Sequence, residues 1–109
     1  MGEIFSPDGR FEWDEAKNIR NKEAHGFFFE EILAVFDDPF FLEAYDQDHS
    51  TLDEIRMKGI ASFDRRIYFF LSYTGRGERT RIISVRLAEA HERKHYDENY
   101  KQQITGYER

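Results

Sequence analysis

The chain has 109 residues, of which 39% are hydrophobic and 17% aromatic, enough for one small domain with a real core rather than a disordered segment. It contains no cysteine, which excludes a disulfide framework and thiolate metal sites and fits a reducing compartment. The formal net charge of −6 argues against a nucleic-acid partner for the surface taken as a whole.

In chain order, residues 1–9 end in Ser6-Pro7-Asp8-Gly9 and read as a turn or a frayed end. Phe11-Glu12-Trp13 alternates like a short strand. Asp14 is placed to cap a helix, with Glu15 in the first turn where the helix dipole favours an acid. That helix is expected to run to about His25, with Gly26 as a left-handed stop, and its thin apolar face (Ala16, Ile19, Ala24) marks it as a surface helix. Phe28, Phe29, Ile32, Leu33 and Phe36 recur at helical spacing and predict a second helix that fills the core. It must stop near Asp38, because Pro39 disfavours helical geometry in the residue before it.

Phe40 to Tyr45 reads as a strand, followed by a polar loop from Asp46 to Asp53. Three apolar runs follow, Ile55 to Phe63, Ile67 to Thr74 and Arg79 to Arg86, joined by connections of hairpin length. Leu87 to about Asn99 reads as a helix and the remainder as a tail. The expected fold is therefore α+β in a single domain spanning 1–109. It has two N-terminal helices, an antiparallel β-meander of about four strands and a C-terminal helix, with the helices on one face of the sheet and flexible ends at 1–9 and 100–109. No basic-then-apolar leader opens the chain, and the run around Phe69-Phe70-Leu71 is too short to span a bilayer. A soluble cytoplasmic protein without membrane contact is the expectation.

The charge is unevenly distributed. Residues 1–54 carry 4 basic and 15 acidic side chains, whereas residues 55–95 carry 10 basic and 4 acidic. Such asymmetry points to a polyanion or a basic protein as partner, the alternative being a dipolar but inert surface. Strand parity concentrates the basic half further. Matching apolar with apolar places Arg56, Lys58, Ser72, Ser84 and Arg86 on the less covered face, and Arg81 with the apolar set. Guanidinium forks and a lysine among hydroxyls suit a phosphate-rich ligand. Pairing with acids from the N-terminal half is the competing reading.

His91-Glu92-x-x-His95 matches the zinc-protease pattern, in which two histidines four apart share a helix face and the glutamate acts as base. The context is poor. Arg93 and Lys94 set positive charge beside the supposed dication, and the domain is small for a protease cleft. No metal is expected.

The order and spacing of Trp13-Asp14-x-x-Lys17-x-x-x-Asn21, His25-Gly26, Phe29-Glu30, Val35-Phe36-x-Asp38-Pro39, Asp48-His49, Arg56 with Gly59, Arg81-Ile82-Ile83-Ser84-x-Arg86-x-Ala88 and Glu92-Arg93-x-x-Tyr96 is similar to that of a known family. From Phe11 to Tyr96 the chain resembles the BrnT-type toxins of bacterial type II toxin–antitoxin systems, which have a RelE-like ribonuclease fold. One departure is Ala24, which stands where the family usually has Lys before the His-Gly pair; a contribution from that lysine to activity would be missing here.

The resemblance implies an endoribonuclease that cuts RNA without metal or other cofactor and inhibits translation. It also implies neutralisation by a small ribbon–helix–helix antitoxin, through which the complex reaches operator DNA. A non-catalytic, antitoxin-binding co-repressor of the same fold is the alternative. The residues supply candidates for each role. Arg56, Lys58 and Arg86 would stabilise charge on the phosphate. His49 or His25 would move protons near neutral pH. Arg81, Ser84, Arg93 and Tyr96 would contact RNA by charge, hydrogen bonding and stacking. Structural alternatives stand beside these: His25 as a helix cap, Glu92 as an anchor for Arg86, and Tyr96 as core.

Overall fold

A computed structural model of the chain describes residues 2–106. Six strands form one mixed sheet: β1 (Glu3–Phe5), β2 (Phe11–Asp14), β3 (Leu42–Tyr45), β4 (Arg56–Phe63), β5 (Ile67–Arg76) and β6 (Arg79–Leu87), in the spatial order β1-β2-β6-β5-β4-β3. The last four make the antiparallel meander that the apolar runs predict. The first two extend it, β2 running parallel to β6 and β1 antiparallel to β2. The count of about four strands is thus corrected to six. β1 escapes a sequence reading because it is three residues long and exposed throughout, with no apolar alternation to mark it. Its support comes from pairing with β2 and from an ion pair of Glu3 with Arg81.

The first helix, α1 (Glu15–His25), has the predicted ends. Asp14 Oδ2 accepts the Lys17 N–H at 2.9 Å, and Gly26 turns left-handed at φ 88°. Its inward face is polar: Asn18 and Asn21 are buried while Ile19 is 48% exposed. Asn21 Nδ2 donates to the carbonyls of Phe27 and Val85, and its Oδ1 accepts the Val85 N–H. β2 pairs with β6 only at Thr80 and Arg81. Beyond that point the Asn21 amide occupies the strand's edge as one residue of a neighbouring strand would.

The second N-terminal helix does not form. Residues 29–37 make two short 3-10 turns instead, Phe29–Glu31 and Leu33–Asp37. The buried residues Phe29, Ile32 and Val35 recur every third position, the period of that tighter coil. The amides of Ile32, Val35 and Asp38 bond three residues back, to Phe29, Ile32 and Val35. The first turn is capped by side chains, Glu31 Oε1 accepting the Phe28 N–H at 2.8 Å and Asn18 Oδ1 the Phe29 N–H at 2.7 Å.

The two faces of the sheet carry separate cores. On one, Trp13, Phe29, Ile32, Val35, Phe69 and Val85 pack beneath the 3-10 turns. On the other, Ile60, Ala88 and Tyr96 pack with Phe40, Tyr68, Phe70 and Tyr100. Tyr96 and Tyr100 come from the last helix, α2 (Ala90–Gly106), which covers this face, while the 3-10 turns cover the other and α1 packs against the β6 edge through Asn21, so the helices do not share one face as expected. The apolar side chains Ile60, Tyr68 and Phe70 require that cover. α2 also continues past Asn99 through the expected tail to Gly106; residues 107–109 lie outside the described residues. No helix among the described residues is long and apolar enough to cross a membrane.

One irregularity matters for the site. Ser72 pairs with Ser84 but Tyr73 pairs with Ile82, so Ile83 is an extra residue in β6. The bulge lets both Ile82 and Val85 enter the first core. It also reverses the parity of everything before it.

Candidate active site

The open part of the second sheet face is built from rows of residues in register. Lys58, Ser72 and Ser84 lie side by side across β4, β5 and β6, and the next row is Ile60, Phe70 and Arg86. Lys58 and Ser84 are two strand spacings apart, about 10 Å. On the other side of Lys58 the row is Arg56, Thr74 and Arg81. Strand parity therefore places Arg56, Lys58, Ser72, Ser84 and Arg86 correctly. Arg81 joins them, not the apolar set, because the bulge at Ile83 flips it.

Their electrostatic surroundings differ. Arg81 is enclosed: Nη1 meets Glu3 Oε2 at 2.6 Å and Glu12 Oε2 at 2.7 Å, and its side chain is 12% exposed. The hydrogen bond to Glu3 first, with the Glu12 bond and both charges, outweighs burial and raises its already high pKa. Arg86 lies over the Phe70 ring, 4.3 Å from the centroid, and binds Glu92 through two parallel hydrogen bonds of 2.9 Å. Burial opposes ionisation of Glu92, but the Arg86 bonds, the Glu89 amide and the Arg86 charge hold the carboxyl below its ordinary value. Arg56 Nε donates to Glu54 Oε1 at 2.7 Å. Lys58 has no ion-pair partner among the described residues.

Between this face and α2 lies a cleft of about 370 Å³. Lys58, Ile60 and Phe70 form its floor, and His91, Glu92 and His95 its helical wall. The two histidines of the His-Glu-x-x-His string thus face the same space as Lys58, which the sequence reading did not anticipate. The signal was available in their four-residue spacing, which fixes them on one helix face. What was missing was that this face looks at Lys58. Glu89, His91 and Glu92 bring one ligand atom each within 4.8 Å of one another. Both Glu92 oxygens are nevertheless bonded to Arg86, which leaves that carboxylate unsuited to activate a metal-bound water as in a zinc protease.

The remaining candidates are dispersed. His49 is on the loop before β4, its Nδ1 2.9 Å from Asp46 Oδ2, and its side chain is 67% exposed. It belongs to the Arg56 end, since the Asp46 amide bonds the Arg56 carbonyl. His25 ends α1 and lines a surface hollow with Lys17, Ala24 and Ile83, apart from the cleft that holds Lys58. Arg93 is exposed and donates to the Ala88 carbonyl at 3.0 Å. Tyr96 is core: its hydroxyl donates to Asp38 Oδ2 at 2.6 Å and accepts from Ser62 Oγ at 3.0 Å. Burial and then the Asp38 bond push its pKa up.

Known proteins bear on this geometry in two ways. A solved structure of the ribonuclease toxin BrnT from Brucella abortus is similar, with 25% identity and a TM-score of 0.53; the match covers 71% of this chain and 92% of that one. A search of curated proteins finds no match. The family model described as ribonuclease toxin, BrnT, of type II toxin–antitoxin system matches residues 13–92, from the Trp13 strand to the glutamate that holds Arg86. The chain belongs to the BrnT family of ribonuclease toxins of type II toxin–antitoxin systems.

Proposed function

We propose that the chain is a metal-independent endoribonuclease that acts on RNA at the open sheet face and so inhibits translation in the cytoplasm. The observation that supports this most directly is the row Lys58, Ser72 and Ser84 flanked by Arg56 and Arg86 on one uncovered surface. Lys58 would bind a scissile phosphate and stabilise the charge it gains as a ribose 2′-hydroxyl attacks, and Arg86, its fork held by Glu92, would add charge from the next row. The hydroxyls of Ser72 and Ser84 add hydrogen bonds to phosphate or sugar. Arg56 extends the basic track toward His49.

The partner is a small ribbon–helix–helix antitoxin, which competes with RNA for the basic face and carries the complex to operator DNA. The test is cleavage of labelled RNA by the purified chain in the presence of EDTA, with Lys58→Ala beside it. Retained cleavage with a 2′,3′-cyclic phosphate end supports the reading, and Lys58→Ala should be slower by about 10²–10³. Loss of cleavage in EDTA, restored by a divalent metal, would reject metal independence. Simultaneous binding of RNA and antitoxin would remove the competition.

A second reading, the non-catalytic co-repressor, is favoured by the acids that already occupy Arg81 and Arg86. It predicts antitoxin binding and operator repression with no RNA cleavage.

A further inference from the structure

We infer that His91 and His95 are the proton-transfer pair of this nuclease, two imidazoles on one wall of the cleft acting on a phosphodiester held by Lys58. The inference rests on the nuclease reading above and assigns the chemistry that Lys58 and Arg86 do not supply. Neither cation suits a general base: Arg stays protonated, and Lys is a point charge better fitted to hold phosphate.

The placement carries the argument. Residues four apart on a helix share a face, and α2 turns that face toward the sheet. His91, His95 and Lys58 line the same cleft. A His91 ring nitrogen lies within 4.8 Å of a Glu92 oxygen, and Glu92 is the residue that fixes Arg86. A phosphate in the cleft would meet Lys58 from the floor and the imidazoles from the wall. His49 already has Asp46 as partner, whereas no carboxylate is within ion-pair distance of His91 or His95 among the described residues. His25 does not line this cleft. Both cleft histidines are exposed and therefore reachable by solvent and substrate.

The step balances without any further reactant. One neutral imidazole takes the 2′-hydroxyl proton as the O2′–P bond forms. The P–O5′ bond breaks with its electron pair going to O5′, and the other ring, protonated, gives its proton to that oxygen. The products are a 2′,3′-cyclic phosphate and a 5′-hydroxyl. The pair is left with exchanged protonation, which solvent restores.

The experiment uses the full chain, an RNA with a mapped cleavage site, and the same RNA carrying a bridging 5′-sulfur at that site. A thiolate departs without being protonated, so the sulfur substrate dispenses with the acid but not with the base. His91→Ala and His95→Ala should each slow cleavage of ordinary RNA by about 10²–10⁴. On the sulfur RNA one variant should recover to within about tenfold of wild type and the other should not, which assigns acid and base. If wild type cuts, Lys58→Ala is impaired and both histidine variants cut at the wild-type rate, the inference is wrong. It is equally wrong if both losses persist unchanged on the sulfur RNA, because a structural role would produce that. A wild-type chain that cuts neither RNA rejects the nuclease reading itself.

Discussion

Removing Glu92 should cost both stability and the orientation of Arg86, and the two can be measured apart. Its carboxylate receives two 2.9 Å bonds from Arg86 and a 2.7 Å bond from the Glu89 amide, with 9% of the side chain exposed. Hydrogen bonds to charged groups are worth about 1.5–3 kcal/mol when buried, and a capping interaction about 1 kcal/mol. Arg86 is 31% exposed, so the pair must be discounted for solvent screening. Glu92→Ala should therefore cost about 2–3 kcal/mol, of which about 1–2 kcal/mol is coupling to Arg86.

Urea denaturation of wild type, Arg86→Ala, Glu92→Ala and the double variant gives that coupling directly. Because the folded Glu92 carboxyl is held below its ordinary value, its contribution is complete above the unfolded value of about 4.3 and is lost as pH falls through the lowered folded value. The difference between wild type and Glu92→Ala should shrink in acid. A coupling below about 0.3 kcal/mol, within ordinary additivity error, or a difference that grows in acid, would refute the account.

Three further substitutions probe the surroundings. Arg81→Ala leaves Glu12, itself 7% exposed, without its cation and should cost about 2–4 kcal/mol; calorimetry of Arg81→Ala against Arg81→Met/Glu12→Met tests this, the double variant being the more stable. Gly59→Ala drives a methyl group into the Phe41 ring at the edge of the first core and should cost about 1–3 kcal/mol, whereas an unchanged melting temperature would mean that the ring moves aside freely. Tyr96→Phe loses the bond to Asp38 and should cost about 1–2 kcal/mol in denaturant while RNA cleavage stays at the wild-type rate, since Tyr96 is buried; a cleavage defect would restore the RNA-stacking role.

Most of the sheet was legible because alternation reports which residues share a face. Ile60 and Phe70 fall with Lys58 as parity requires, and Asp14 and Gly26 bound α1 by local capping chemistry alone. The failures share a cause: each depended on a contact distant in sequence. Phe29, Ile32 and Val35 fit a helix face nearly as well as a 3-10 face. The choice is visible only in the fold, where these three side chains pack together into the first core at a three-residue period. β1 has no pattern of its own and is held by Arg81, 78 residues away. For the site, residue types found the basic row but could not say which arginine was already paired. Nor could they say that the histidine face of α2 looks toward Lys58 rather than toward water.

The extra residue at Ile83 has a consequence for how this strand tolerates change. In a regular strand, all alternate basic side chains answer to the same face and stand or fall together. Here the bulge divides β6 into two segments whose phases are set independently, with Arg81 in one and Ser84 and Arg86 in the other. Substitutions in the segment of Ser84 and Arg86 leave the latch between Arg81, Glu3 and Glu12 in place. A single-residue deletion at Ile83 removes only the unpaired residue: Ile82 then precedes Ser84 directly, the pairs Tyr73–Ile82 and Thr74–Arg81 are kept, and Arg81 stays on its face. A one-residue deletion is therefore best absorbed at that point, whereas a deletion elsewhere in β6 would turn one of the two segments over.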